Sequence, residues 1–253
     1  MDYIIAIPSF KRAKICNEQT LKTLSNNSIN PELIFIYVAN ENEYSEYQKE
    51  LDPKMFNKII IGFEGLVNQR IFIRRQWEEN KLIVSMDDDV KSIDFETAGY
   101  KSLDDFIRDA FTECKNRNAF IWGVYPVYNP FFRKNQKHVT TCLNYIVGCF
   151  YGYINRPELK TLDTTFTMSN GQKEDVELSI RYFIQDGLVL RFNKVGFVTK
   201  YYGTVGGLGT FKDRILPMRE ASECLSREYP TYGKIKIRKN GMYEFVLKKI
   251  CSK

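Results

Sequence analysis

KLIVSMDDD (81–89) is a short apolar run closed by three consecutive carboxylates. A run of this length and composition reads as a strand buried on both faces of a parallel sheet. In open α/β sheets, ligands bind outside the carboxyl ends of the strands. Asp87, Asp88 and Asp89 therefore stand where a ligand would be met. Burying such charge is costly without compensation. A hard divalent cation bridging carboxylate and diphosphate oxygens supplies that compensation, and Mg²⁺ or Mn²⁺ needs only one or two carboxylates for it. Alternate strand residues point to opposite faces, so Asp87 and Asp89 are expected to share one side and hold the metal. The competing reading is an acidic turn capping the next element.

The flanking segments fit the same picture. YIIAIP (3–8), LIFIYVAN (33–40) and KIIIG (58–62) read as three more buried strands. Residues 13–26, 42–51 and 66–79 read as the helices between them. This alternation predicts a parallel, doubly wound sheet. Beyond it, residues 102–117 form a helix with Ser102 as N-cap and an acidic first turn. Residues 119–129 and 139–155 look like long strands without intervening helices. Residues 174–186 form a helix ended by Gly187. Strands at 189–193 and 196–202, a helix at 213–228 and a hairpin of 234–238 with 242–249 across Lys239-Asn240-Gly241 complete the chain. The expectation is a single α/β domain over 1–253. Its front half, 1–95, would be a mostly parallel nucleotide-binding sheet flanked by helices. Its back half, 96–253, would be a smaller mixed-strand, acceptor-side and catalytic region.

Composition narrows the class. The 253 residues are 43% hydrophobic, enough for a large core and against disorder. Aromatics reach 14% and the net charge is +6, a modest basic excess that permits an anionic partner without demanding one. The six cysteines form no C-x-x-C pair and His138 is the only histidine, which argues against structural zinc. Scattered thiols point to a reducing compartment rather than a disulfide scaffold. The opening MDYIIAIPSFKR lacks a basic n-region and a cleavage site, and no apolar run approaches 18 residues, so neither a signal peptide nor a membrane span is expected.

Four further stretches carry chemistry. In IPSFKR (7–12), a strand ends in Pro8-Ser9, which can hold a nucleoside against backbone groups, and Lys11 or Arg12 can meet a phosphate. In GLVNQRIFIR (65–74), Gly65 permits a tight loop, and Asn68 and Gln69 offer amides to a base edge. Arg70 and Arg74, one helical turn apart, can pair with a diphosphate. In QKEDVELS (172–179), Glu174 and Asp175 open a helix, where acids are favoured by the dipole in any case; functionally, Asp175 is the candidate general base. In GTVGGLGTFKDR (203–214), glycines allow close backbone approach before a helix start. That stretch matches neither the P-loop nor the dinucleotide fingerprint. His138, in a polar basic stretch, reads as a surface residue.

Taken in order, Pro8-Ser9, Asn68-Gln69-Arg70, the acidic triplet and Glu174-Asp175 resemble the motif order of GT-A glycosyltransferases. Within that class the chain is similar to the TET/J-binding-protein-associated glycosyltransferases, a group that includes the base J glucosyltransferase and phage relatives. The resemblance rests on IAIPSFKRAKICNEQTLKTL, on GLVNQRIFIR with LIVSMDDDV, and on GGLGTFKDR with YPTYGKIKIRKNG, which together span nearly the whole chain. It implies transfer of a sugar from a nucleotide donor, usually UDP-glucose, to the hydroxyl of a hydroxymethylated pyrimidine in DNA. It places Pro8, Ser9, Arg12, Asn68, Gln69, Arg70, Asp87 and Asp88 around the donor, the metal on Asp87 and Asp89, and the base of an inverting displacement at Asp175 with Glu174 beside it. Many GT-A enzymes add a late histidine to the metal shell; here His138 precedes the Glu-Asp pair, so that ligand must be something else. A duplex base would have to be flipped to reach such a site. Arg133, Lys134 and Lys137, with Lys234, Lys236, Arg238 and Lys239, would track phosphates. Tyr125, Tyr128, Phe131 and Phe132 would stack on the base. The location implied is the cytoplasm, that of the host for a phage protein. A glycan, lipid or protein acceptor is the alternative, followed by a non-catalytic binding module and a nucleotidyltransferase.

Overall fold

A computed structural model describes residues 2–167, 171–199 and 207–251. Its centre is β1 (Tyr3–Pro8), buried at every position. β1 pairs in parallel with β2 (Ile34–Val38) on one side and with β4 (Leu82–Met86) on the other, and β3 (Lys58–Ile61) pairs in parallel with β2. Between them lie α1 (Ala13–Cys16), a π-helical turn over Asn17–Leu21, α2 (Lys22–Asn26), α3 (Glu41–Glu50) and α4 (Leu66–Gln76). The β-branched alternation of β1 and β4 explains the two layers. Tyr3, Ile5, Ile7, Leu82 and Val84 face one apolar core, and Ile4, Ala6 and Ile83 face the other. Each fully buried aliphatic side chain contributes about 1.5–3 kcal/mol.

The later strands extend this same sheet. β6 (Ile121–Val124), β7 (Val139–Thr140), β8 (Phe150–Ile154) and β9 (Leu190–Phe192) complete the order β3-β2-β1-β4-β8-β6-β9-β7. β8 is antiparallel to β4 and β6, β6 is parallel to β9, and β7 is antiparallel to β9. Six of the eight strands thus run one way, as a mostly parallel sheet requires. β5 (Val90–Asp94) pairs with β10 (Gly196–Thr199), and β11 (Gly233–Ile237) with β12 (Tyr243–Leu247), as two small antiparallel additions. α5 (Leu103–Asn116), α6 (Pro130–Arg133), α7 (Glu174–Asp186) and α8 (Phe211–Glu228) complete the helices used below. Ser102 caps α5 through Asp105 N–H at 3.0 Å, and Gly187 ends α7 in the left-handed region. Among the described residues, no helix is long and apolar enough to cross a membrane.

Three expectations are corrected. The two long strand-like segments shrink to β6 and to the short β7 and β8, with α6 and an irregular stretch at 141–149 intervening. Leu143, Ile146 and Val147 line cores instead of continuing a ladder, and Val127 and Tyr128 are exposed. His138 is lodged between Tyr100 and Phe192, with its Nε2 3.1 Å from the Tyr100 hydroxyl, rather than lying free on the surface. Cys142 and Cys251 form a disulfide; Cys16, Cys114, Cys149 and Cys224 are free.

Candidate functional site

Because β1 and β4 are parallel and adjacent, their carboxyl ends deliver Ser9 and Asp87–Asp89 to one edge of the sheet. A cavity of about 270 Å³ opens there. Pro8, Ser9 and Arg12 line it from the first strand and loop, Gln69 from α4, and Asp87, Asp88 and Asp89 from the end of β4. The remaining wall includes Phe63, Leu66, Cys149, Thr199, Leu208 and Arg214.

The acidic triplet is held residue by residue. Asp88 is buried. A relay of donors reaches it: Arg12 N–H to the Tyr47 hydroxyl at 3.0 Å, Tyr47 to Ser9 Oγ at 2.6 Å, and Ser9 Oγ–H to Asp88 Oδ2. The Arg12 guanidinium meets Asp88 Oδ1 at 3.2 Å and Asp89 Oδ2 at 3.1 Å. Thr199 donates to Asp89 Oδ1 at 2.5 Å. Thr20, on the π-helical turn, donates to the Asp87 carbonyl at 2.7 Å and accepts from Val90 N–H at 2.9 Å. Burial pushes the Asp88 carboxyl up to about 7; Arg12 and Ser9 pull against it, and Asp89 and Asp87 add to it. Burial also raises Asp87, with Arg70 opposing and Asp89 adding.

Arg70 is the hinge between the two acidic groups. Its guanidinium donates to Asp87 Oδ1 at 3.0 Å and to the Gly148 carbonyl at 2.8 Å, and pairs with the buried Glu174. Next to that pair, Asp175 accepts from the Tyr145 hydroxyl and from Gly148 N–H at 3.2 Å. The structure therefore brings Glu174 and Asp175 to the acidic triplet through Arg70, and neither of them is among the residues that line the main cavity.

Other candidates fall elsewhere. Asn68 is exposed, and its amide donates to the Glu64 carbonyl at 3.1 Å. Gln69 is buried; it accepts from Phe63 N–H at 2.7 Å and donates to the Val38 carbonyl at 3.0 Å, so its amide shapes the cavity wall. Arg74 turns away to Asp163 and to the carbonyls of Arg156 and Leu159. Arg133 is wholly buried, paired with Asp94 and with the carbonyls of Tyr128 and Lys194, so it is not the surface cation expected. Lys134, Lys137 and Tyr128 are exposed, as are Phe131 and Phe132. Of the glycine stretch, residues 203–206 lie outside the described residues; Gly207 and Leu208 reach the cavity. Tyr47, Thr20, Thr199, Tyr145 and Gly148 carry no motif and emerge only from the fold.

Among the described residues, no three His, Cys, Asp or Glu side chains are arranged to hold a metal ion by themselves. The donor set nonetheless suits a hard cation completed by a ligand's own oxygens. Asp87, Asp88 and Asp89 share one wall of the cavity, Asp87 and Asp88 are raised mainly by burial with their acidic neighbours adding to it, and Arg12 and Arg70 are the cations bonded to the triplet.

No family model and no curated protein sequence matches the chain. Solved structures do match its shape. Staphylococcus aureus TarS aligns with a TM-score of 0.51 at 14% identity, over 89% of this chain and 40% of TarS. TarS 1–349 in complex with UDP-GlcNAc aligns with a TM-score of 0.50 at 11% identity, over 89% and 67%. A mycobacterial protein aligns with a TM-score of 0.52 at 10% identity, over 98% and 83%. The chain thus spans 40% of full TarS and about two thirds of its 1–349 fragment. At such identities the likeness establishes architecture: the chain has a GT-A-like α/β fold.

Proposed function

We propose that the chain is a glycosyltransferase that takes a sugar from a nucleotide-sugar donor, UDP-glucose or a close analogue, at the cavity beside Asp87–Asp89. The observation that carries this reading is the convergence of Ser9, Arg12 and the three aspartates at the carboxyl edge of β1 and β4. A solved neighbour with the same architecture was crystallised with UDP-GlcNAc, which supports the reading. Asp87 and Asp89 would hold Mn²⁺ or Mg²⁺, which when bound neutralises charge developing on the leaving diphosphate. Arg12 and Arg214, which both line the cavity, are the protein cations that would share that task. Arg70 is engaged internally and acts by fixing Asp87 and Glu174. Asp175, which reaches the triplet through the Gly148 backbone and Arg70, would be the base that takes the proton of the acceptor hydroxyl in an inverting displacement.

For the acceptor we favour the hydroxyl of a hydroxymethylated pyrimidine in DNA. Exposed Tyr128, Phe131 and Phe132 beside Lys134 and Lys137 offer stacking surfaces with phosphate-binding charge. The same aromatics suit a sugar acceptor, and the burial of Arg133 removes one cation from the DNA surface; a glycan acceptor is therefore the second reading. The test is mass spectrometry of nucleosides after incubation with Mn²⁺, a panel of nucleotide sugars and hydroxymethylated DNA. A mass gain of one hexose on the modified base is expected. Donor turnover onto glycans with no DNA product would select the second reading.

A further inference from the structure

The irregular stretch 141–149 lies between β7 and β8 and borders the site. Tyr145 and Gly148 N–H both bond Asp175, and the Gly148 carbonyl takes the Arg70 guanidinium at 2.8 Å. The Cys149 carbonyl accepts from Asp87 N–H at 3.0 Å, and Ile146 N–H donates to Ser179 Oγ at 2.9 Å, one turn along α7 from Asp175. At its other end, the stretch is joined to residues 250–251. Leu143 N–H donates to the Ile250 carbonyl at 2.7 Å, and Cys142 is bonded to Cys251 across 109 residues of sequence. Cys251 is exposed and Cys142 half-buried, so a small thiol can reach the bond, whereas Cys16 and Cys114 are buried.

We propose that the Cys142–Cys251 disulfide is a thiol-exchange site that controls how firmly the 141–149 strap holds Asp175 and Arg70. A dithiol supplies the two electrons. One of its thiolates attacks a sulfur of the pair, giving a mixed disulfide and releasing one cysteine thiolate. Its second thiol then displaces the other cysteine, leaving a cyclic disulfide and two protonated cysteines. Once the bond is broken, the Leu143–Ile250 hydrogen bond and apolar packing hold the strap to that segment without a covalent link, and local opening becomes cheaper. The strap meets Asp175 by hydrogen bonds whose donors it carries itself, so loosening it disorders the acceptor side first. Arg12, Ser9 and Asp88 are bonded among themselves and to Tyr47, so that part of the donor side is held independently, and Asp87 is the donor-side carboxylate that the strap reaches, through the Cys149 carbonyl and Arg70.

The catalytic consequence rests on the reading of Asp175 as the base; the structural one does not. The experiment compares oxidised protein, dithiothreitol-reduced protein and Cys251→Ser by amide hydrogen exchange and by sugar transfer. Reduction should speed exchange at Leu143, Ile146 and Gly148 by about tenfold or more, with far-UV circular dichroism unchanged. It should lower kcat several-fold, with any rise in donor KM the smaller effect. Cys251→Ser should match the reduced protein and ignore the reductant. Unchanged exchange on reduction, or a serine variant as protected as the oxidised protein, overturns the proposal. In a protein that transfers no sugar in either state, the exchange result still decides the tether, and only the proposed function falls.

Discussion

Asp88 takes its place from Ser9, which passes on the hydrogen bond that Tyr47 receives from the backbone of Arg12. A hydrogen bond to a buried carboxylate contributes about 1.5–3 kcal/mol. Ser9→Ala should cost that much in urea unfolding and weaken donor binding with it. Arg133 makes the opposite point. Its removal leaves Asp94 with only its Thr97 donors and takes the guanidinium from the carbonyls of Tyr128 and Lys194, and breaking a largely buried pair costs about 3–5 kcal/mol. Arg133→Met should therefore be strongly destabilised in urea melts. The pH dependence has a definite sign. Burial alone would lift Asp94, but the Arg133 hydrogen bond and those from Thr97 outweigh it and hold the carboxyl below its usual range. That contribution is present above the unfolded pKa and is lost as pH falls through the folded one. The gap between wild type and Arg133→Met should narrow below about pH 4 in acid unfolding. The acidic triplet was legible because three carboxylates cannot end a buried strand without a purpose. Arg133 was not, because in RKNQK nothing local distinguishes a cation that points inward at Asp94 from its solvated neighbours.

At the scale of elements, the front half follows its hydrophobic runs closely. β1 through β4 and the intervening helices fall within a few residues of where the pattern puts them, because β1, β2 and β4 are almost wholly buried apolar runs and the polar segments between them leave few other places for helices. The back half departs from its pattern because apolar residues at 141–149 pack against α7 and the sheet without a ladder partner. Glycine marks one place where that packing is tight. Gly152 in β8 lies opposite Trp122 in the register of β6, and a Cβ there would come within 2.4 Å of the indole. Trp122 is fully buried among Phe106, Phe111 and Phe150 and has little room to yield. Gly152→Ala should cost about 1–3 kcal/mol, read as a lowered urea midpoint with an unchanged slope. A neutral result would mean that the aromatic cluster shifts more freely than its packing implies.

Across the whole molecule, one sheet joins the two halves, and its parallel edge gathers residues from positions 8 to 214 around a single cavity. The net charge of +6 favours anionic ligands in general, so salt dependence separates a DNA acceptor from a neutral one. Affinity for hydroxymethylated DNA should fall steeply between about 50 and 200 mM salt, measured by fluorescence anisotropy, and Lys134→Ala with Lys137→Ala should flatten that slope. The most direct measurement of the central claim is calorimetric titration of UDP-glucose with Mn²⁺ into the wild type and into Asp89→Ala. Saturable one-to-one binding is predicted, weakened in the variant by about 1.4 kcal/mol or more, a factor of ten. Absence of binding by any nucleotide sugar, or equal binding in both proteins, would contradict the assignment of the cavity as a donor site.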